Sequence, residues 1–364
     1  MEKKERLYVD VHVLQTLPPS CINRDDTGSP KTAIYGGVRR ARVSSQSWKH
    51  AMRLHFNESF PKEKLGARTK RIVEMVANEI RIISDIEEPE LLAEKILNNA
   101  GLKVKSVDKG NDALFFMSYA QAKALAVLVI EDNETTSDKP SKEVKEKIAG
   151  ALRNNPGIDV ALFGRMVAQD PSLNTDACSQ VAHSISTHKV SNEYDYFTAV
   201  DDFAPEDNAG AAHIGTVEFN SATLYRYATV NVKELQGQLN DDTVATVLEF
   251  IRAFACSLPT GKQNTFANRT LPDVLLVSIR ADQPVNLVGA FEKPVISSDE
   301  GYVYASVQRL MDYSASVCSS FVGEPMSSFL VGEHLQSMGS VLSLEKMLDT
   351  LESELKTILE AGDK

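Results

Sequence analysis

The chain is poor in cysteine, and its four thiols stand far apart at positions 21, 178, 256 and 318, with no Cys-x-x-Cys pair. That spacing excludes a zinc ribbon and a disulfide framework and points to buried or incidental thiols in a reducing compartment. Long apolar runs are missing too: the longest, Ala124 to Ile130, falls far short of the roughly 18 residues that would suggest a membrane span. The N-terminus, Met-Glu-Lys-Lys-Glu-Arg, has neither the apolar core of a secretory signal nor the acid-poor character of a transit peptide, so a cytoplasmic protein without membrane contact is expected. No G-x-G-x-x-G occurs, and Gly261-Lys262 lacks the earlier glycine and the following Ser or Thr of a P-loop. His183 and His188 are five apart with no Glu between them, which is not the zincin spacing. Neither a cofactor nor a metal is expected.

What is present is a chain of 364 residues, 43% hydrophobic and 24% charged, long enough to bury a sizeable core. Its net charge of −11 argues at first against a nucleic-acid partner, because phosphate contact normally shows as positive charge. The distribution reverses that reading. Between Lys31 and Arg53 stand six basic residues (Lys31, Arg39, Arg40, Arg42, Lys49 and Arg53) and no acidic one, so this segment carries +6 and the remainder −17. A carboxylate-free block in so acidic a protein is a candidate anion-binding surface. Gly36-Gly37 marks a turn, Val38 to Val43 a strand, and Ser44-Ser45 the cap of a helix from Gln46. At about 100° per residue, Ser45, Lys49 and Arg53 share one stripe with Gln46 beside it, while Trp48, Met52 and His55 share another. The helix N-terminus, with cations one and two turns on, suits repeated phosphates, and Trp48 is expected to pack rather than to stack on a base.

Strands are expected at Leu7 to Leu17, Pro156 to Ala168, Ile214 to Val232 and Asp273 to Arg280, with helices at Arg68 to Ile83, Ser141 to Arg153, Val244 to Leu258 and Leu342 to Leu359. Residues 57–155 look like a helical insertion. Without it the order is β-α-β-β-α-β, an α+β, ferredoxin-like plan that RNA-recognition modules share. No strand carries the aromatic motif with which such modules stack bases, so RNA would be held by its backbone.

Several strings are recognisable: Ser20 to Asp26, Ile34 to Arg53, Asp159 to Met166, Asp195 to Asp202, His213 to Phe219, Tyr225 to Ala228 and Ala290 to Lys293. Together they resemble the CasC family of the RAMP superfamily, the repeated backbone subunit of the type I-E CRISPR surveillance complex, Cascade. The resemblance implies a ferredoxin-like palm at 1–56, 156–189 and 214–300, helical fingers at 57–155, a thumb loop at 190–213, and a C-terminal segment and helix at 301–364 packing on the palm. It implies a non-catalytic protein that polymerises along crRNA, grips the spacer backbone without reading its sequence, and leaves bases open to target DNA, as in other RNA-guided systems where base pairing reads sequence. The implied partners are crRNA, target DNA, copies of the chain itself and the other Cascade subunits CasA, CasB, CasD and CasE.

Carried over by position, Arg24, Lys31, Ser44, Gln46, Lys49 and Arg53 would meet RNA phosphates. Met166 would wedge beside a displaced base, Phe203 would be the apolar thumb residue, and Lys262 would sit on a basic loop near the RNA. Lys139, Lys142 and Lys145 match a finger helix that approaches target DNA, although Glu143 and Glu146 intervene and a solvated face is the competing reading. The rival function is a metal-dependent ribonuclease of the same superfamily, in which Asp201 and Asp202, with His213 nearby, would bind Mg²⁺ and position water.

Overall fold

The computed structural model describes residues 6–104, 113–167, 170–199, 202, 213–332 and 341–362. In chain order the elements are β1 (Tyr8–Ser20), β2 (Thr32–Tyr35), β3 (Val38–Val43), α1 (Ser45–Ser59), β4 (Gly66–Thr69), α2 (Ile72–Ile83), α3 (Pro89–Asn99), β5 (Phe115–Ser118), α4 (Tyr119–Glu131), α5 (Lys142–Arg153) and α6 (Ile158–Phe163). They continue with β6 (Ser179–Val181), β7 (Ser184–Ser186), β8 (Glu193–Ala199), β9 (His213–Asn231), α7 (Val232–Leu239), α8 (Thr243–Cys256), α9 (Gln263–Phe266), β10 (Val274–Arg280), α10 (Val303–Ser320), β11 (Ser327–Gly332) and α11 (Leu344–Gly362). Contacts divide the chain into two compact units: Met1–Met52, Val181–Thr229 and Phe250–Lys364 form the first, and Arg53–Gln180 with Val230–Glu249 the second.

The first unit is built on a sheet whose strands run in the order β11-β10-β1-β9-β7-β3-β2. Antiparallel ladders fix the register, with Val11 opposite Val277, Val277 opposite Phe329, Ile185 opposite Tyr225, and Arg42 opposite Ile185. The alternation of β1 buries Val9, Val11 and Val13 on one face, as the sequence predicts, but Asp10 and His12 on the other face are buried as well. They are accommodated by tyrosines of β9: Tyr227 donates to Asp10 Oδ1 at 3.0 Å, and His12 Nδ1 meets the Tyr225 hydroxyl at 2.9 Å. The same face carries a core of Leu14, Leu276, Leu287, Phe291, Val307 and Leu310 under α10. Burying these side chains is the main favourable term for the unit, on the order of 1.5–3 kcal/mol for each large one.

In the second unit, β4 and β5 pair antiparallel (Ala67 opposite Met117) beside a helical core in which Val76, Ile80, Ile96, Leu97, Leu125, Ile148 and Leu152 are fully buried. A capping box starts α4: Ser118 Oγ accepts from Gln121 N at 3.0 Å and Gln121 Oε1 from Ser118 N at 3.1 Å. Ser141 caps α5, whose Val144, Ile148 and Leu152 form a buried stripe at i, i+4, i+8.

Three expectations are corrected. The strand expected at 156–168 is instead the helix α6, buried from Ile158 to Leu162 and ended by Gly164 at φ +76°. An element buried on every side carries no period that separates strand from helix. The strands of this sheet that follow α1 are β6 and then β7, each only three residues long. The region 190–213, read as a loop, contains β8, paired with β9 from Glu193 opposite Phe219 to Ala199 opposite His213. Finally, α2 begins at Ile72 rather than Arg68, because Gly66–Thr69 are taken up by β4.

Candidate nucleic-acid interface

The basic block of the first unit divides into cations that hold the fold and cations that face outward. Arg40 is fully buried, its guanidinium donating to the carbonyls of Tyr35 (3.2 Å), Ser186 (2.9 Å), Phe291 (2.8 Å) and Glu292 (3.2 Å). Burial holds its pKa below the usual arginine range. The neighbouring turn depends on glycine: Gly36 has φ +57°, and a Cβ there would lie 1.7 Å from the Glu292 oxygen. Arg39, by contrast, is exposed.

At the strand-to-helix junction Ser44 caps α1, accepting from Ser47 N at 3.4 Å through its hydroxyl, while its own N–H donates to Asn23 Oδ1 at 2.9 Å. Trp48 points inward as expected, fully buried, with Nε1–H donating to Ser184 Oγ at 3.0 Å and the Arg226 guanidinium 3.7 Å from its ring centroid. That anchor fixes the rotation of the helix and leaves Gln46 exposed and Lys49 half-buried on the other side. Ser44, nearly buried, serves the helix before any ligand.

One loop meets this junction through Asn23, and a second packs against the first. In the first, Asp25 Oδ1 accepts from Thr27 N (3.0 Å), Thr27 Oγ1 (2.7 Å) and Ser29 N (3.0 Å), bonds that hold its carboxyl below the ordinary range, the Thr27 hydroxyl foremost. Arg24 is exposed, and Lys31 is tied by Lys31 N to Asn23 O and Arg42 N to Lys31 O, both 2.9 Å. In the second loop Gly261 lies against Ile22, where a Cβ would stand 2.4 Å from the carbonyl oxygen, and Lys262 follows at φ +48°. Burial pushes the Cys21 thiol up, while Lys262 and then Arg24 pull it the other way, so both cations lie within electrostatic reach of that sulfur. Arg24, Lys31, Gln46, Lys49 and Lys262 therefore stand on segments that touch one another. His183, which the sequence reading did not select, joins them: Arg42 Nη1 donates to its Nδ1 at 3.1 Å.

In the second unit Arg53 is engaged. Nε donates to Asp159 Oδ2 at 2.9 Å, Nη2 to Gly66 O at 3.1 Å, and the guanidinium carbon lies 4.5 Å from the Phe116 ring centroid. Asp159 also accepts from Gly66 N at 2.7 Å; burial raises its pKa and the Arg53 charge opposes that rise. The local sequence gives no sign of this pairing across 106 positions. Met166 is 86% exposed, yet its neighbours are fixed. Arg165 and Thr175 exchange two backbone hydrogen bonds of 2.9 Å, and Val167 N donates to Asn174 Oδ1 at 2.7 Å. The Arg165 side chain is buried on Leu173 O (3.0 Å), Phe116 O (3.1 Å), Gln121 Oε1 (3.0 Å) and Leu152 O (2.7 Å), its pKa lowered by burial to about 10.

Lys139 is exposed just ahead of α5, and Lys142 and Lys145 are exposed on it, opposite its buried stripe. Among them Glu146 pairs with Arg153. Phe203 and Asp201 lie outside the described residues, and Asp202 stands exposed in a turn. Among the described residues no three His, Cys, Asp or Glu side chains group so as to hold a metal ion, and no helix is long and apolar enough to cross a membrane.

No curated protein sequence matches the chain. Solved structures do. A chain of a "CRISPR RNA-guided surveillance complex, pre-nicking" is 32% identical, with a TM-score of 0.79 over 94% of this chain and 100% of that one. A chain of a "CRISPR RNA-guided surveillance complex" is 29% identical, with a TM-score of 0.60 over 94% and 99%. The CT1975-like protein family (Cas_CT1975) matches from residue 9 to residue 355, and the chain described above belongs to it.

Proposed function

We propose that the chain is a non-catalytic backbone subunit of a Cascade complex of the type I-E kind, which polymerises along crRNA and holds the spacer by its sugar-phosphate backbone. The observation that carries this reading is that the segment of Arg24 and Lys31 meets the capped start of α1, which Lys49 follows, and packs against the loop of Lys262, in a chain whose likeness extends over whole subunits of RNA-guided surveillance complexes. Backbone N–H groups at a helix start, with cations on the helix and on the adjoining segments, suit phosphates and not base edges.

The strand order supports a ferredoxin-like palm. Taking β1, β7, β9 and β10 as the four strands, with α1 and α8 as the crossovers, the sheet reads fourth, first, third, second. On this reading 1–56, 156–189 and 214–300 are the palm, 57–155 the fingers, 190–213 the thumb, and 301–364 the C-terminal segment. Met166 is the wedge beside a displaced base, with Phe203 on the thumb. Lys139, Lys142 and Lys145 approach target DNA. CasA, CasB, CasD and CasE kinds of subunit complete the assembly, in the cytoplasm.

Filter binding of single-stranded RNA against salt tests the proposal. Four phosphate contacts per subunit give a log–log slope of roughly −3, nearly independent of sequence. Lys49→Glu with Lys262→Glu abolishes assembly while leaving the fold intact. Tight RNA binding by that double variant refutes the site.

A further inference from the structure

His183 is an exposed imidazole whose surroundings are cationic. One ring nitrogen is already used: Arg42 Nη1–H donates to Nδ1 at 3.1 Å, so the neutral ring carries its proton on Nε2. Arg42 is itself held in place. Its Nε donates to Thr32 O at 3.2 Å, its backbone N–H to Lys31 O at 2.9 Å, and it lies opposite Ile185 in the ladder that also carries His183's neighbour Ser184. The charged groups acting on the ring are Arg42 from β3 and Lys31 from the segment before β2, both positive. No carboxylate is among them. Burial, then Arg42, then Lys31, hold the imidazole below the ordinary histidine value, so it is neutral near pH 7.

Two cations and an imidazole N–H, with no carboxylate paired to them among the described residues, make an incomplete anion site, and Lys31 already belongs to the proposed RNA surface. Resting on that RNA-binding reading, we infer that His183 is a further contact to the RNA backbone and makes RNA binding proton-linked. In the free protein Nε2–H is the only donor the ring offers. When a phosphate oxygen approaches, its negative charge offsets the two cations that disfavour the imidazolium. The ring then takes up one proton at Nδ1, which ceases to accept from Arg42. Arg42 Nη1 is released at the same moment, and the phosphate can accept from both groups. Binding thus consumes a proton, so affinity rises as pH falls through the interval between the free and the bound pKa of His183.

The test is RNA affinity of the full chain, measured with an unstructured single-stranded RNA at fixed ionic strength between about pH 5.5 and pH 8, for the wild type, His183→Gln and His183→Ala. The wild type should bind about three- to tenfold tighter at the acidic end. His183→Gln keeps an amide donor without a titrating nitrogen and should hold its pH 8 affinity while showing a flatter pH slope than the wild type. His183→Ala should be weaker throughout, with its pH slope flattened to the same degree. Because the chain carries six other histidines, the readout is the change in slope between variants. An unchanged slope in His183→Gln overturns the inference, as does a loss of affinity that is equal at every pH. A wild type that binds no RNA at any pH refutes the underlying reading instead.

Discussion

The Arg226 guanidinium is buried between two aromatic rings, 3.7 Å from the centroid of Trp48 and 4.5 Å from that of Phe254, and it donates to Gln15 Oε1 at 2.5 Å and to the Phe254 carbonyl. Burial lowers its pKa to about 9. Removing it strands two acceptors and a cavity beneath α1. Arg226→Ala should therefore cost at least about 3 kcal/mol in urea unfolding, and Arg226→Lys should recover little, since an ammonium cannot serve both acceptors and both rings. A loss below about 1 kcal/mol in the alanine variant would show that this cation does not anchor the helix.

Asp159 and Arg53 give a second prediction. Asp159→Asn leaves a half-buried guanidinium without its counter-charge while preserving an acceptor for Gly66 N. The expected loss is about 2 kcal/mol, and it should be relieved in the double variant Asp159→Asn with Arg53→Met, which removes the uncompensated charge. Strict additivity of the two single losses would argue against the pairing.

Met166 and Arg165 should separate function from stability. Met166→Ala removes an exposed side chain and should leave the melting temperature unchanged, whereas Arg165→Met strands four acceptors and should lower it by several degrees. With 2-aminopurine at successive spacer positions, assembled wild type should unstack a base at regular intervals, and Met166→Ala should weaken that fluorescence.

Asp10 and His12 pull stability in opposite directions as pH falls. Burial raises the Asp10 carboxyl from 3.8 to about 6, so the folded state takes up this proton first and gains stability on acidification from pH 6 toward 4. Burial lowers His12 from 6.5 to about 3, so the unfolded state takes up that proton first and the folded state loses stability over the same interval. The two contributions nearly cancel. Relative to the wild type, Asp10→Asn should lose about 2 kcal/mol between pH 7 and pH 4. His12→Gln should gain a similar amount, measured as urea midpoints at each pH. Parallel profiles for all three proteins would contradict the assignment.

The ribonuclease alternative is checked by annealing complementary RNA to the guide and adding Mg²⁺. The proposed scaffold leaves that strand intact, and Asp201→Ala with Asp202→Ala changes nothing. Metal-dependent cutting abolished by those substitutions would replace the scaffold with an enzyme.

The parts legible in the sequence were those set by local chemistry. The alternation of β1, the Gly36-Gly37 turn, the Ser44 cap and the inward Trp48 all stand where the residues predict them. What escaped depends on partners far along the chain. Arg40 counts toward a basic patch until carbonyls 146 and 251 positions away claim it, and Arg53 until Asp159 does. His183 carried no signal of its own, because only the β3–β7 ladder brings it to Arg42. Residues 158–163 were misread since a buried segment needs no alternation. Summed charge locates a surface only after the buried cations have been subtracted.

The fixed setting of Met166 has a mechanical consequence. With Arg165 clamped by four acceptors and Val167 tethered to Asn174, the side chain between them is delivered by backbone that lost its freedom when the unit folded. On the proposed reading, a stiff wedge meeting a soft strand leaves the strand to deform. The displacement would then depend on where the subunit sits and hardly at all on which base it meets, so that one protein can mark equal intervals along guides of any sequence.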